Sequence, residues 1–203
     1  MKIAIVDYGV GNLFSLCSSF RAIGADTVVT GDAAALRCAD KIVLPGVGAF
    51  ADAAKKLRAG GLDQVLIGEA NRDKPLLGIC LGMQLLLQKS FEYGEHDGLG
   101  LISGNVAGIA PMVGDRKIPH IGWNALLFST PKHPLFQNTK EGDCVYFVHS
   151  YAAVDCEQSI IARAEYGALL TAAVARDNVM GVQFHPEKSG EVGLNILRAF
   201  CAL

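Results

Sequence analysis

Two hydrophobic periodicities alternate along the first half of the chain. Short apolar runs predict buried strands at residues 2–6, 28–29, 41–44 and 76–79. Apolar residues spaced three and four apart predict helices over residues 13–23, 50–71 and 81–89. Strands that alternate with helices indicate right-handed βαβ units, and therefore a parallel sheet with helices on its faces.

The pattern changes after about residue 98. Short β-rich segments separated by turn residues lie near 99–109, 118–128, 144–155, 159–175 and 179–184. They predict an antiparallel β extension, and the strand near 180–184 could return to the main sheet. A final helix is expected after Ser189, which can cap it, because Val192, Ile196 and Phe200 share one face. We therefore predict one α/β domain over residues 1–203, with a mixed, mainly parallel central sheet.

Composition narrows the class of protein. Hydrophobic residues make up 51% of the 203 positions and charged residues 19%, which suits a packed core. Lys and Arg number 18 against 20 Asp and Glu, a net charge of −2 that gives no basic surplus for nucleic acid or anionic membranes. The first apolar run stops at Asp7, too early for a signal peptide, and no apolar run is long enough to span a membrane. A cytoplasmic protein is expected, with its six cysteines reduced.

The segment GICLGMQ at residues 78–84 has the form Gly-x-nucleophile-x-Gly between a predicted strand and a predicted helix. A nucleophile elbow needs this arrangement, since the sharp turn strains the backbone of Cys80 and the helix N-terminus favours its thiolate. The alternative is a small buried cysteine between two packing glycines. The strand–helix context favours the elbow.

Two further segments could complete such a site. His185 and Glu187 follow the last predicted strand, and Pro186 between them could let the carboxylate reach the imidazole from the side. Without Cys80, this triplet would be an ordinary surface turn. The Pro45–Gly48 loop follows another strand, and its two glycines could turn backbone amides toward an oxyanion. That loop alone is more often a plain connection.

Together these motifs resemble those of the class I, or triad, glutamine amidotransferases. Within that family the sequence is most similar to the glutaminase subunits of imidazole glycerol phosphate synthases. The resemblance covers the whole chain and rests on the segments DYGVGN (7–12), PGVGAF (45–50), GICLGMQ (78–84), PHIGWN (119–124), YFVHSY (146–151) and QFHPEKS (183–189).

The resemblance implies a role for each matching residue. Cys80 would be the nucleophile, His185 the general base and acid, and Glu187 the group that orients His185. The implied oxyanion donors are Val47, Gly48 and Leu81. The implied glutamine-binding residues are Gln84, His149, Ser150 and Tyr151. The residues expected at a partner interface are Asn12, Pro119, His120, Trp123, Asn124 and Lys188.

The resemblance also implies a heterodimer with a (β/α)8-barrel cyclase. Glutamine would be hydrolysed, and the ammonia would reach a phosphoribulosyl intermediate (PRFAR), giving imidazole glycerol phosphate and AICAR in histidine biosynthesis. No metal or cofactor is expected. Two alternatives stay open: a similar subunit serving another acceptor, as in surface-sugar biosynthesis, and a stand-alone cysteine hydrolase.

Overall fold

A computed structural model describes all residues 1–203 and is built around an eight-stranded mixed sheet. Its strand order is β2-β1-β3-β4-β14-β13-β12-β9. The five strands from β2 to β14 run parallel, and the last three run antiparallel to their neighbours. Two smaller sheets pair β10 with β8, and β11 with β7, β5 and β6. The predicted α/β class with a mixed, mainly parallel sheet is confirmed.

The strands are β1 (Lys2–Val6), β2 (Asp26–Thr30), β3 (Lys41–Leu44), β4 (Leu76–Ile79), β5 (Lys89–Ser90), β6 (His96–Asp97), β7 (Asn105–Gly108), β8 (His120–Ala125), β9 (Leu127–Phe128), β10 (Cys144–His149), β11 (Tyr151–Val154), β12 (Ile160–Glu165), β13 (Leu169–Arg176) and β14 (Val179–Val182). The helices are α1 (Leu13–Ala22), α2 (Ala33–Cys38), α3 (Phe50–Ala59), α4 (Leu62–Ala70), α5 (Leu81–Leu86) and α6 (Gly190–Ala202). No helix is long and apolar enough to cross a membrane.

Each face of the main sheet carries its own hydrophobic core. On β1, Ile3 and Ile5 face a cluster that includes Phe20 of α1 and Phe200 of α6. Ala4 and Val6 face the opposite cluster, which takes its side chains from α2 to α5. This alternation follows from the two-residue period of a strand, and it explains why β1 is apolar at nearly every position: both faces are covered.

Three parallel strands that are neighbours in the sheet, β3, β4 and β14, end at the same edge. The chain continues from them into the Pro45 loop, Cys80 and the segment that holds His185. The carboxyl edge of a parallel sheet is where α/β folds place their sites. The three sequence motifs therefore meet because their strands are adjacent, although they are far apart in the chain.

Two helix predictions need correction. The helix expected over 50–71 is two helices, α3 and α4, separated at Gly60 and Gly61. Gly61 has φ 64°, a left-handed conformation that ends the first helix and lets the second change direction. The helix expected over 81–89 ends at Leu86, because Leu87 is extended and Lys89–Ser90 joins the four-stranded sheet. The short helix α2 was not predicted.

The antiparallel extension was also predicted too simply. Its strands enter three different sheets: β9, β12, β13 and β14 belong to the main sheet, and the others form the two smaller sheets. The segment near 144–155 divides into β10 and β11 at Ser150, and the two halves pair with different strands. The expected return of the chain to the main sheet is confirmed, since β14 pairs parallel with β4.

Candidate active site

Cys80 occupies a strained turn between β4 and α5. Its φ of 55° and ψ of −113° are unusual for a residue with a side chain, and its N–H donates to the Val182 carbonyl at 2.8 Å. The turn is tight because α5 starts against β3: a Cβ atom on Gly82 would lie 1.9 Å from the Leu44 carbonyl oxygen. Only glycine fits there, which gives the second glycine of the motif a steric reason.

His185 lies beside the sulfur and is held from two sides. Its Nδ1 is 2.8 Å from Oε1 of Glu187, the contact expected from their two-residue spacing. The backbone of His185 is extended, and its N–H donates to the Tyr146 carbonyl at 3.0 Å. Burial lowers the pKa of His185, but hydrogen bonds to Cys80 and Glu187 and their negative charge outweigh it and raise the pKa to about 9.

A cavity of about 440 Å³ opens over Cys80 and His185. Every residue expected to bind glutamine or to form the oxyanion hole lines this cavity: Val47, Gly48, Leu81, Gln84, His149, Ser150 and Tyr151. The cavity is large enough for an amino acid, and its lining combines polar groups with apolar side chains. Of the residues assigned to the partner face, only Pro119 also lines the cavity.

Gln84 is fixed by other protein groups. Its Nε2 donates to the Tyr151 carbonyl at 3.1 Å and to Oε1 of Gln183 at 3.0 Å, so both amide hydrogens are used. Nε2 of Gln183 in turn lies 3.8 Å from the Cys80 sulfur. Gln183 is completely buried and was not among the predicted site residues. Its place between Gln84 and the sulfur depends on the pairing of β14 with β4.

The two glycines of the Pro45–Gly48 loop serve different purposes. Gly48 has φ 93°, a left-handed conformation that favours glycine, and a Cβ atom there would meet no other atom within 4 Å. Gly46 is packed tightly, and a Cβ atom there would lie 2.9 Å from the Tyr8 hydroxyl. The same hydroxyl donates to the Pro45 carbonyl at 2.8 Å. The Pro45–Gly46 end of the loop is therefore fixed against Tyr8, and only the Val47–Gly48 end has open space beside it.

The residues expected at a partner face divide into two groups. Pro119 and Lys188 are exposed, and Trp123 keeps 55% of its surface exposed beside Tyr146. Asn12 and Asn124 are partly exposed. The placement of His120 is wrong for its side chain, which is 1% exposed and packed between Phe147 and Tyr166. Alternation along β8 turns Trp123 outward and His120 inward.

Besides Gln183, three residues near the site were missed from the sequence. Glu92 and Tyr93 line the cavity from the turn after β5, where Tyr93 has φ 52°. Oε2 of Glu92 also accepts the N–H of Phe50 at the start of α3. Tyr8 is buried next to Cys80, and burial together with the charge of Cys80 raises its pKa. Only the left-handed turn at Tyr93-Gly94 has a local signal, because the other contacts depend on the packing of distant segments.

A model of the family described as glutamine amidotransferase class-I matches residues 4–202. The chain belongs to this family. The imidazole glycerol phosphate synthase subunit HisH of Sulfurimonas denitrificans is 50% identical to this chain over 201 residues, with 98% of this chain and 96% of that protein covered. The protein of the same name from Methanothermobacter thermautotrophicus is 49% identical, with 98% and 96% covered.

Solved structures agree on the architecture. A crystal structure of a glutamine amidotransferase matches with a TM-score of 0.77 at 17% identity, covering 98% of this chain and 97% of that one. PurLQS from Thermotoga maritima matches with a TM-score of 0.75 at 19% identity, covering 99% and 97%. At such low identities the likeness shows the fold alone, and the class-I amidotransferase assignment rests on the family match and the relatives.

Proposed function

We propose that this chain is the glutaminase subunit of an imidazole glycerol phosphate synthase, acting as one domain over residues 1–203 in the cytoplasm. The observation that carries the proposal is the strained backbone of Cys80 at a cavity that His185, held by Glu187, also lines. The full-length similarity to proteins named as HisH subunits supports the choice of pathway.

The geometry supports a thioester mechanism. His185 accepts the thiol proton, and the Cys80 sulfur attacks the side-chain amide carbon of glutamine. The resulting oxyanion would be stabilised by the Leu81 amide, which has no acceptor at the first position of α5, and by an amide from the Val47–Gly48 peptide. His185 returns the proton to the departing nitrogen, which releases ammonia, and water then hydrolyses the glutamyl thioester to glutamate.

Ammonia must stay unprotonated to act as a nucleophile, so it has to pass to its acceptor without entering bulk water. A barrel-shaped cyclase covering the face that carries Asn12, Trp123 and Lys188 would provide such a path. There, ammonia would react with PRFAR to give imidazole glycerol phosphate and AICAR. Exposed Trp123, edge-on to Tyr146, and Lys188, whose Nζ lies 5.6 Å from the centre of the Tyr146 ring, form a patch of the composition that partners bind.

The nucleophile assignment is tested with Cys80→Ala in the complex with the cyclase subunit. Glutamine-dependent synthesis should be lost, while ammonium salts should still support formation of imidazole glycerol phosphate, since only the ammonia supply fails. Cys38→Ala is the matched control, because Cys38 is an exposed thiol at the end of α2 and should tolerate the change. Glutaminase activity near that of the control in Cys80→Ala would refute the assignment.

The partner should also activate the glutaminase. Because the Val47–Gly48 peptide is free while Tyr8 anchors the Pro45 end, the peptide can rest with a carbonyl toward the oxyanion position. A missing oxyanion donor costs roughly 10²–10³ in rate. We expect slow glutamine hydrolysis by the chain alone and faster hydrolysis with the cyclase and its nucleotide ligand, measured as glutamate formed. Equal rates would favour a stand-alone hydrolase, and activation without synthesis from PRFAR would point to another acceptor.

A further inference from the structure

A row of buried polar groups joins strand β8 to the cavity. Nδ2 of Asn124 donates to the Glu165 carbonyl at 2.6 Å, and Oδ1 of Asn124 lies 2.9 Å from Nε2 of His120. Nδ1 of His120 is 3.0 Å from Nε2 of His149, whose Nδ1 is 2.9 Å from the Tyr151 carbonyl. The antiparallel register of β8 and β10 creates this row by placing His120 directly opposite His149.

Both ends of the row are carbonyl oxygens, which only accept hydrogen bonds. If Asn124 donates to the Glu165 carbonyl, its own oxygen requires a hydrogen on Nε2 of His120. The Tyr151 carbonyl requires a hydrogen on Nδ1 of His149, and the contact between the two rings requires a third. Two neutral imidazoles carry only two hydrogens, so a neutral pair leaves one contact of the row unsatisfied.

The surroundings oppose the third proton. His120 is sandwiched between the rings of Phe147 and Tyr166, at 4.9 and 4.0 Å between centroids, which prevents the imidazole from turning away. Burial lowers the pKa of both histidines, that of His149 to about 4. A charge on the cavity side is also unfavourable to a cation, since His185 lowers the pKa of His149 further.

We propose that His120 and His149 form a two-state tautomeric relay between strand β8 and the glutamine cavity, in which the hydrogens of the two rings shift together. In the first state both rings carry hydrogen on Nδ1, and the unsatisfied contact lies at Asn124. In the second state both carry it on Nε2, and two acceptors face each other at the Tyr151 carbonyl. Any other distribution leaves two lone pairs, or two hydrogens, facing each other between the rings.

The two states differ in what they do to the cavity. The Tyr151 carbonyl also accepts a hydrogen bond from Gln84, which contacts Gln183 next to the Cys80 sulfur. In the first state His149 helps to hold this carbonyl, and in the second it repels it. The first state should dominate in the isolated chain, because Asn124 is partly exposed and can turn to water, whereas His149, which makes the contact at the other end, is buried.

His120 and Asn124 are thus positioning residues that act on the cavity through His149. A group that binds against Asn124 and fixes its amide decides at which end the unsatisfied contact falls. This gives the partner face and the glutamine cavity a shared two-state element, which is what coupling between two sites requires. The functional meaning of the relay rests on the proposed glutaminase activity, whereas its existence does not.

The direct test is NMR of the imidazole nitrogens in the full chain at pH 7.5, where each nitrogen reports whether it carries hydrogen. We expect His120 and His149 both neutral and both protonated at Nδ1. Both at Nε2 would keep the relay but overturn the preferred state. Opposite tautomers on the two rings, or two fully charged rings, would overturn the relay itself.

A substitution at the outer end gives a second test. Asn124→Asp replaces the amide with a group that only accepts, so Nε2 of His120 should gain a hydrogen at pH 7.5. Asn105→Asp is the matched control. Asn105 lies on β7, outside the row, and its Nδ2 donates to Asp155, so this substitution should leave both imidazole rings unchanged. An unchanged His120 in Asn124→Asp would refute the relay. Glutaminase assays of the wild-type complex are run in parallel. If the complex does not hydrolyse glutamine, the proposed function is wrong, but the tautomers of His120 and His149 should still be those expected. The two failures can therefore be told apart.

Discussion

Acid should weaken this fold through His149, whose ring is 6% exposed. Burial lowers its pKa from 6.5 to about 4, while the Tyr151 carbonyl opposes the change, and His120 and His185 reinforce it. The unfolded chain binds a proton near pH 6.5 and the folded chain does not, so unfolding takes up a proton between these two pH values. The stabilisation is complete above pH 6.5 and is lost as the pH falls toward 4.

The size of the effect follows from this shift. A change of one pKa unit corresponds to about 1.4 kcal/mol, so the full effect of His149 is about 3 kcal/mol. Between pH 7.5 and pH 5 the free energy of unfolding should fall by about 2 kcal/mol through this residue. His120 adds to the loss, since burial lowers its pKa as well, whereas His185, whose pKa is raised to about 9, opposes the loss because the folded chain binds its proton more tightly. Glu69, whose pKa Lys74 and Arg72 lower, keeps its charge above pH 5 and contributes little in this range.

The assay is urea unfolding followed by circular dichroism at both pH values. His149→Gln should remove about 2 kcal/mol of the pH dependence, whatever it does to stability at pH 7.5. Val145→Ala is the control on the same strand: Val145 is fully buried and has no ionisable group, so it should lower stability by a similar amount at both pH values. A His149→Gln protein that loses as much stability in acid as the wild type would refute this reasoning.

Two further outcomes are expected. His185→Asn should lower kcat for glutamine hydrolysis by a factor of roughly 10²–10⁴. Glu187→Gln should lower it by less, because the carboxylate acts only through the His185 imidazole. A larger loss for Glu187→Gln in steady-state kinetics would reverse these roles. Gly82→Ala should prevent correct folding, since its Cβ atom would lie 1.9 Å from the Leu44 carbonyl oxygen, whereas Gly68→Ala in α4, with open space around it, should melt near the wild-type temperature. Similar melting of the two variants would contradict the steric argument.

The site could be located from the sequence because its main signals are local. Cys80 lies at a turn between an apolar strand and a helix, and the spacing of His185 and Glu187 around Pro186 is itself a short-range constraint. Such features depend on a few neighbouring residues, so they can be recognised without knowing how the strands pair. The same holds for the alternating strands and helices of the first half.

Tertiary structure alone decided what lies beside these residues. Gln84 meets Gln183 across 99 positions, and His120 meets His149 across 29, because β14 pairs with β4 and β8 with β10 in one particular register. A slip of one residue would turn every side chain of a strand to the other face. The two-residue period of β8 puts His120 and Trp123 on opposite faces, but only the packing of the complete sheet decides that the face with His120 is the buried one. The sequence determined which groups could react, and the sheet pairing determined which groups hold them in place.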